Sequence, residues 1–250
     1  MTALITGASS GIGRDIARLL AAQGHELILV ARRRDRLEQL AAELPVPVTV
    51  VPADLSEPGA GEALYRRLEG RQVDILVNNA GFGAFGLFEE TPLARDRAML
   101  AVNVAALHEL TKLYYTDFKR RDAGYILNVA SSAAFLPGPL LAEYYAGKAY
   151  VLRLTQALYE ELRRSGSHVR VSALCPGPVR TEFDTTAGVT FSARGLPSDK
   201  VARAAVRGMF RGKLVIVPGL TMKLVRFGAR FLPDKWLLRL CWHAQKRKES

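Results

Sequence analysis

A doubly wound α/β fold, with helices on both faces of a mainly parallel seven-stranded sheet, is predicted by three regularities of the sequence. Short β-branched runs alternate with longer helical patterns along almost the whole chain. Most of those runs are continuously apolar, as expected for strands covered on both faces. A glycine-rich turn joins the first run to the first helical pattern, at the start of a βαβ unit. Such alternation implies right-handed crossovers between parallel strands.

Strands are expected at 3–6, 26–31, 46–51, 73–78, 125–131, 170–174 and 214–217. Helical patterns fill 13–23, 34–44, 61–68, 94–119, 142–164 and 199–210. No linker or repeat interrupts the series, so residues 1–250 are expected to form a single Rossmann-type domain, with 219–250 as a basic C-terminal extension. Residues 183–197 break the alternation and are expected to form a long lid-like loop where the strands end.

The chain has 250 residues, 49% hydrophobic and 24% charged, the composition of a soluble globular protein. Its two cysteines, Cys175 and Cys241, fit neither a zinc site nor a disulfide framework. No metal is expected, and a reducing cytoplasm is the expected compartment. Neither a signal peptide nor a spanning helix is expected. The net charge of +11 is unevenly placed. Residues 211–250 hold ten Lys/Arg and two acids, leaving 25 bases and 22 acids before them.

The turn Thr6-Gly7-Ala8-Ser9-Ser10-Gly11-Ile12-Gly13 follows a strand and opens a helix. Gly7, Gly11 and Gly13 allow close backbone approach to a pyrophosphate, whose charge meets amide N–H groups at the helix N-terminus. After the second strand, where an acidic residue would hold an adenosine ribose, stand Arg32-Arg33-Arg34. Guanidinium groups suit a 2′-phosphate, so NADP(H) is expected over NAD, with Arg32 the first contact and Arg33 the second. Arg34 and Arg36 are expected to be solvated.

Tyr144 and Lys148 stand four positions apart in a helical pattern, which puts both side chains on one face. An ammonium beside a phenol favours the ionised form, so the Tyr144 pKa is expected to fall from about 10 toward neutrality. Tyr-x-x-x-Lys is common on amphipathic helices and is weak taken alone.

Together with Asp54-Leu55, Asn78-Asn79-Ala80-Gly81, Asn103, Ser131 thirteen residues before Tyr144, and Pro176-Gly177 with Thr181, these motifs resemble the classical short-chain dehydrogenase/reductase (SDR) family over about residues 1–218. The resemblance implies hydride transfer between a nicotinamide and a carbonyl or alcohol carbon. Tyr144 would move the proton, Ser131 would hydrogen-bond the substrate oxygen, and Lys148 would hold the nicotinamide ribose. Asn103 would bend its helix and position a water leading from Lys148. It also implies cofactor contacts at Ser9, Ser10, Ile12, Asp54, Leu55, Asn79, Ala80, Gly81, Pro176, Gly177, Val179 and Thr181, and a homodimer or homotetramer. Asp54 read alone fits a helix cap, and Thr181 fits the start of a short helix. Ser131 is preferred to Ser132 on its spacing, and Tyr144 to Tyr145. Gly147, where the family often has Ser, is expected to loosen helix packing slightly.

Trp236, Leu237, Leu240, Cys241 and Ala244 recur at helical spacing, with Lys235, Arg239, Lys246, Arg247 and Lys248 between or after them. This segment is expected to pack on the body or another subunit, with peripheral contact to an anionic membrane as the alternative. Nucleic acid is not an expected partner, since no recognition motif accompanies the charge. Apolar residues Phe82, Phe85, Phe135, Leu136, Leu140 and Leu141 hint at a hydrophobic carbonyl substrate. A non-catalytic NADP(H) sensor or scaffold is the alternative function, and an epimerase or dehydratase a more distant one.

Overall fold

A computed structural model of the chain describes residues 1–183 and 195–246. Seven parallel strands form one sheet: β1 (Thr2–Thr6), β2 (Glu26–Ala31), β3 (Val48–Pro52), β4 (Ile75–Asn78), β5 (Tyr125–Val129), β6 (Arg170–Leu174) and β9 (Val215–Ile216). Their spatial order is β3-β2-β1-β4-β5-β6-β9. The chain direction across the sheet reverses between β1 and β4, the crevice where doubly wound folds place their ligands.

The period-2 geometry of each strand sorts its apolar residues between two cores. Ile5, Leu29, Val77 and Leu127 pack under helices α1 (Gly11–Ala21), α2 (Arg34–Glu43) and α7 (Ser198–Phe210). Leu4, Ile28, Leu76 and Ile126 face the other way, under α3 (Ala60–Arg67), α5 (Leu107–Arg121) and the end of α6 (Ala142–Arg164). A polar seam crosses this second layer. Asn78 Nδ2 donates to Asn128 Oδ1 (2.9 Å) and Thr111 Oγ1 (3.0 Å), and Asn128 Nδ2 donates to Thr155 Oγ1 (3.1 Å). These bonds fix β4 against β5 and both against their helices, which sets the register of the loops above them.

The helix expected over 94–119 is α4 (Leu93–Leu100), a π-helical segment Ala101–Ala106, and α5. A π-bulge is a recognised cause of a local helix irregularity, and this one holds Asn103. Gly147 corrects another expectation, because packing there is close rather than loose. A Cβ at Gly147 would lie 3.3 Å from Val104 Cγ2, so its absence lets α6 press against the π-helical segment.

Of the segment expected to form a lid, residues 184–194 lie outside the described residues. At its ends, β7 (Val179–Arg180) pairs in parallel with β8 (Leu196–Pro197). The C-terminal segment forms α8 (Leu220–Gly228) and α9 (Asp234–Lys246). Its expected apolar stripe is split. Leu237, Cys241 and Gln245 turn toward the body, whereas Trp236, Leu240 and Ala244 are exposed. Arg247 and Lys248 lie outside the described residues.

Candidate active site

The glycine turn is shaped by contacts that exclude side chains. Gly7 and Gly11 take φ of +66° and +53°, in the left-handed region that glycine adopts without penalty. A Cβ at Gly13 would stand 2.4 Å from both Gly7 O and Asn79 Nδ2. Asn79 holds the turn from below, its Nδ2 donating to the carbonyls of Thr6 and Gly7 at 3.0 Å each. Thr6 Oγ1 in return accepts the N–H groups of Asn79 (3.0 Å) and Ala80 (3.1 Å). The β1 and β4 loops are thereby clasped into one rigid floor. Ser10 at the N-cap of α1 makes no side-chain cap bond, so the helix presents its first turn of amides to the crevice.

A cavity of about 600 Å³ extends from this floor across the ends of the strands. Every residue expected to be catalytic or to contact the cofactor lines it, except Gly13 and Asn103. Gly13 acts from beneath, through the close packing just described. Asn103 braces the wall instead: its Nδ2 donates to Phe82 O (2.8 Å), and its Oδ1 accepts the Phe82 N–H (3.1 Å). Asn103 Oδ1 would lie 2.8 Å, and Lys148 Nζ 3.3 Å, from a Cβ at Gly81. The Asn103 side-chain amide thus clamps the β4 loop onto the π-helical segment.

Ser131, Tyr144 and Lys148 meet at the far end of the cavity. Ser131 follows β5 in extended conformation and its Oγ accepts the Ala133 N–H (3.1 Å), capping a 3₁₀ turn over Ser132–Phe135. That leaves the hydroxyl proton to orient toward the cavity, where Ser131 is hydrogen-bonded to Tyr144. Ser132 instead donates its N–H to Pro176 O (2.7 Å). Lys148 Nζ, buried, donates to Val129 O at 2.8 Å and sits 5.8 Å from the centre of the Tyr144 ring.

The expected lowering of the Tyr144 pKa is not found in this state. Burial pushes it up to about 12, against the opposing hydrogen bond from Ser131. Burial also pulls Lys148 down to about 8. The reason is geometric: the ammonium hydrogen-bonds a carbonyl and lies over the ring, so desolvation outweighs its attraction for a phenolate. Tyr145 also lines the cavity, edge-on to Tyr144 with ring centres 6.1 Å apart, but its hydroxyl is engaged elsewhere. Its ring packs where a Cβ at Gly138 would fall, and its hydroxyl accepts from Gln245 Nε2 of α9.

At the other end of the cavity, Arg33 donates to Ser9 Oγ (3.1 Å) and to Glu182 Oε2 (2.9 Å). Glu182 also pairs with Arg36, which corrects the expectation that Arg36 is merely solvated. Arg34 pairs with Glu38 one helical turn on, at an exposed site. Arg32 is exposed, without a hydrogen bond or ion pair among the described residues, close to Asp54. Burial raises the Asp54 carboxyl pKa, but hydrogen bonds from the Ser56 N–H and hydroxyl, with the charge of Arg32, hold it below its usual value. Asp54 closes a local turn there; α3 begins only at Ala60. The Thr181 hydroxyl accepts the Phe183 N–H (3.2 Å), as at the start of a short helix, and its methyl abuts Gly11.

Among the lining residues not singled out in the sequence are Glu182, and Met222 and Val225 of α8. Met222 presses on Gly177, where a Cβ would meet its Cγ at 2.6 Å. The three-residue spacing of Met222 and Val225 was legible, but nothing local tells which body an exposed-looking helix will cover. Of the apolar residues expected at the pocket, Phe82, Leu136 and Leu141 line it. Phe135 carries the Arg226 guanidinium 5.2 Å above its ring instead. Leu140 is buried with φ of +64°, and Phe85 does not line the cavity.

The cradle fits a dinucleotide, because three positions exclude a Cβ around unpaired helix amides and guanidinium groups stand at one end of the cavity. The family model for short chain dehydrogenases matches residues 1–189. A short-chain dehydrogenase from Sphingobium yanoikuyae, solved in complex with NADPH, is 37% identical and superposes with a TM-score of 0.83, covering 92% of this chain and 93% of that one. A short-chain dehydrogenase/reductase from Burkholderia phymatum, in complex with NAD, is 27% identical with a TM-score of 0.81, over 90% and 91% of the two chains. The 7beta-hydroxysteroid dehydrogenase of Collinsella aerofaciens is 34% identical over 175 residues, 68% of this chain and 66% of that enzyme, so the match spans about two thirds of the relative's length. With more than half of its length matched by the family model, the chain belongs to the classical short-chain dehydrogenase/reductases, oxidoreductases that bind a nicotinamide dinucleotide and act on small molecules.

Proposed function

We propose that the protein is an NADP(H)-dependent reductase of a hydrophobic carbonyl compound, in a reducing compartment, with residues 219–250 appended to one dinucleotide-binding domain. The observation that carries this reading is the convergence of Ser131, Tyr144 and Lys148 in the cavity whose other end is the glycine turn. A nicotinamide dinucleotide, when bound, supplies or accepts the hydride. The chain's own groups do the rest. Ser131 donates a hydrogen bond to the substrate oxygen and stabilises charge as it develops there. Tyr144 gives that oxygen its proton. A phenol with a pKa near 12 is protonated at neutral pH, which suits donation and hence the reductive direction. Lys148 offers its ammonium to hydroxyls of the ribose, and Asn103 positions it indirectly by fixing Gly81. Phe82, Leu136, Leu141, Met222 and Val225 give the remaining wall an apolar character that favours a large hydrophobic substrate. A purely binding role has no observation in its favour, because a sensor needs no buried proton donor beside a buried ammonium.

Lys148 sets the expected pH dependence. Its folded-state pKa is near 8, so kcat/KM for carbonyl reduction is level at neutral pH and falls above about pH 8 as the ammonium is lost. Rates measured across a buffer series test this, and a level profile up to about pH 10 would overturn it.

The preference for NADP(H) rests on Arg32 and Arg33. Arg33 is pre-oriented by Ser9 and Glu182, and Arg32 beside it is exposed, without a hydrogen bond or ion pair among the described residues. Replacing both by Ala lowers the ratio of kcat/KM with NADPH to that with NADH by about 10- to 100-fold, the scale of lost charge-assisted hydrogen bonds. A wild-type enzyme preferring NADH would sink the assignment, as would an unchanged ratio in the variant.

A further inference from the structure

The C-terminal helices carry an apolar surface that none of the described residues covers. Leu220, Leu224, Phe227 and Phe231 fall at i, i+4, i+7 and i+11, one stripe of a helix and its continuation, and each is 64–77% exposed. The opposite face of α8 carries Met222 and Val225, which line the cavity. The helix is therefore apolar on both sides, and among the described residues only one side is occupied. In α9, Leu237, Cys241 and Gln245 mark the inward face. Helical periodicity places Lys235, Arg239 and Lys246 opposite it, with exposed Trp236 and Leu240 on one flank and exposed Leu238 and Trp242 on the other.

Uncovered apolar patches of this kind mark docking sites in soluble folds. Charge selects the occupant. Residues 220–246 carry six Lys/Arg and a single acid, Asp234. Arg226 is taken up by the Phe135 ring, and the other five basic residues are exposed. A second copy of the chain would bring like charges face to face, at a cost. An anionic lipid surface satisfies both halves of the pattern, taking large apolar side chains at the acyl boundary and basic side chains among the headgroups. Among the described residues no helix is long and apolar enough to cross a membrane, so contact would be peripheral.

We propose that α8 and α9 dock the protein on anionic membranes, with the Leu220–Phe231 stripe and the tryptophans at the interface. Helix α8 is then a wall shared by the lipid surface and the cavity. This inference does not depend on the reaction catalysed, so its failure and that of the reductase reading are separately observable.

The test is co-sedimentation of the full chain with vesicles of phosphatidylcholine, with and without phosphatidylglycerol, at low and physiological salt. Both tryptophans of the chain lie in α9, so their emission reports on this surface alone. Sedimentation with anionic vesicles, weakened by salt and accompanied by a blue shift, is expected. Lys235→Gln with Arg239→Gln lowers partitioning roughly 30-fold, about fivefold for each lost charge. Leu224→Glu with Phe227→Glu abolishes it. Melting followed by circular dichroism checks that both variants fold. Failure to bind anionic vesicles at low salt overturns the proposal, as does undiminished binding by the folded Leu224→Glu/Phe227→Glu variant. Wild-type dimers that this pair converts to monomers, without vesicle binding, would assign the face to a second copy and overturn it equally.

Discussion

Tyr144→Phe lowers kcat for carbonyl reduction by about 10²-fold or more, the scale of a lost general acid, while the dinucleotide still binds. The substitution removes one oxygen and keeps the ring, so the contacts with Phe183 and with the Lys148 ammonium survive at 5.3 and 5.8 Å between centres. What is lost is the proton that burial holds on the phenol at neutral pH. The adjacent tyrosine supplies the control. Tyr145 bonds Gln245 through its hydroxyl, so Tyr145→Phe leaves kcat within about threefold of wild type while loosening α9. Steady-state rates of NADPH oxidation with a carbonyl substrate, beside NADPH titrations of each variant, decide between them. Near-normal turnover in Tyr144→Phe, or a large loss confined to Tyr145→Phe, would move the proton donor elsewhere.

Much of this arrangement was legible in the sequence, for identifiable reasons. Continuous apolar runs mark buried parallel strands, and all seven expected strands are present with ends shifted by no more than two residues. The glycines were legible because a positive φ and a forbidden Cβ leave few other choices, as Gly7, Gly11 and Gly13 illustrate. Two kinds of feature escaped. One is the balance of opposing energies: the four-residue spacing of Tyr144 and Lys148 gives their proximity but not their desolvation, and desolvation decides the direction of the tyrosine shift. The other is long-range pairing. Glu182 meets Arg33 across 149 positions and Gln245 meets Tyr145 across 100, separations that no local pattern encodes. Asn103 belongs to both kinds. Its place in a helix was visible, but the pair of bonds to Phe82 and the π-helical turn that presents it appear only when the chain is folded.

Lys148→Met separates activity from stability by pH. In the folded protein burial holds the Lys148 pKa near 8, against an ordinary value of 10.5, so between those values the unfolded chain binds the proton and the folded one does not. Folding stability from this group therefore rises as pH increases from about 8 to about 10.5, and below about 8 its penalty is fully present. A shift of this size corresponds to roughly 3 kcal/mol. Methionine removes the penalty but leaves Val129 O, now the acceptor of a 2.8 Å bond, without its donor, at a cost of about 1–3 kcal/mol. The two effects nearly offset at neutral pH, where the variant unfolds at much the same denaturant concentration as wild type. At about pH 10 only the lost bond remains and the variant is the less stable. The slope is thus the informative quantity, since every other titrating group is common to both proteins. Denaturant unfolding at several pH values is expected to show wild type gaining on the variant as pH rises, while the variant's reductase kcat/KM lies about 10²-fold or more below wild type at neutral pH and the gap narrows above about pH 8 as wild type loses its own ammonium. Parallel stability curves would mean that the Lys148 ammonium is not desolvated in the folded chain, and the pH limb assigned to it would fall with them.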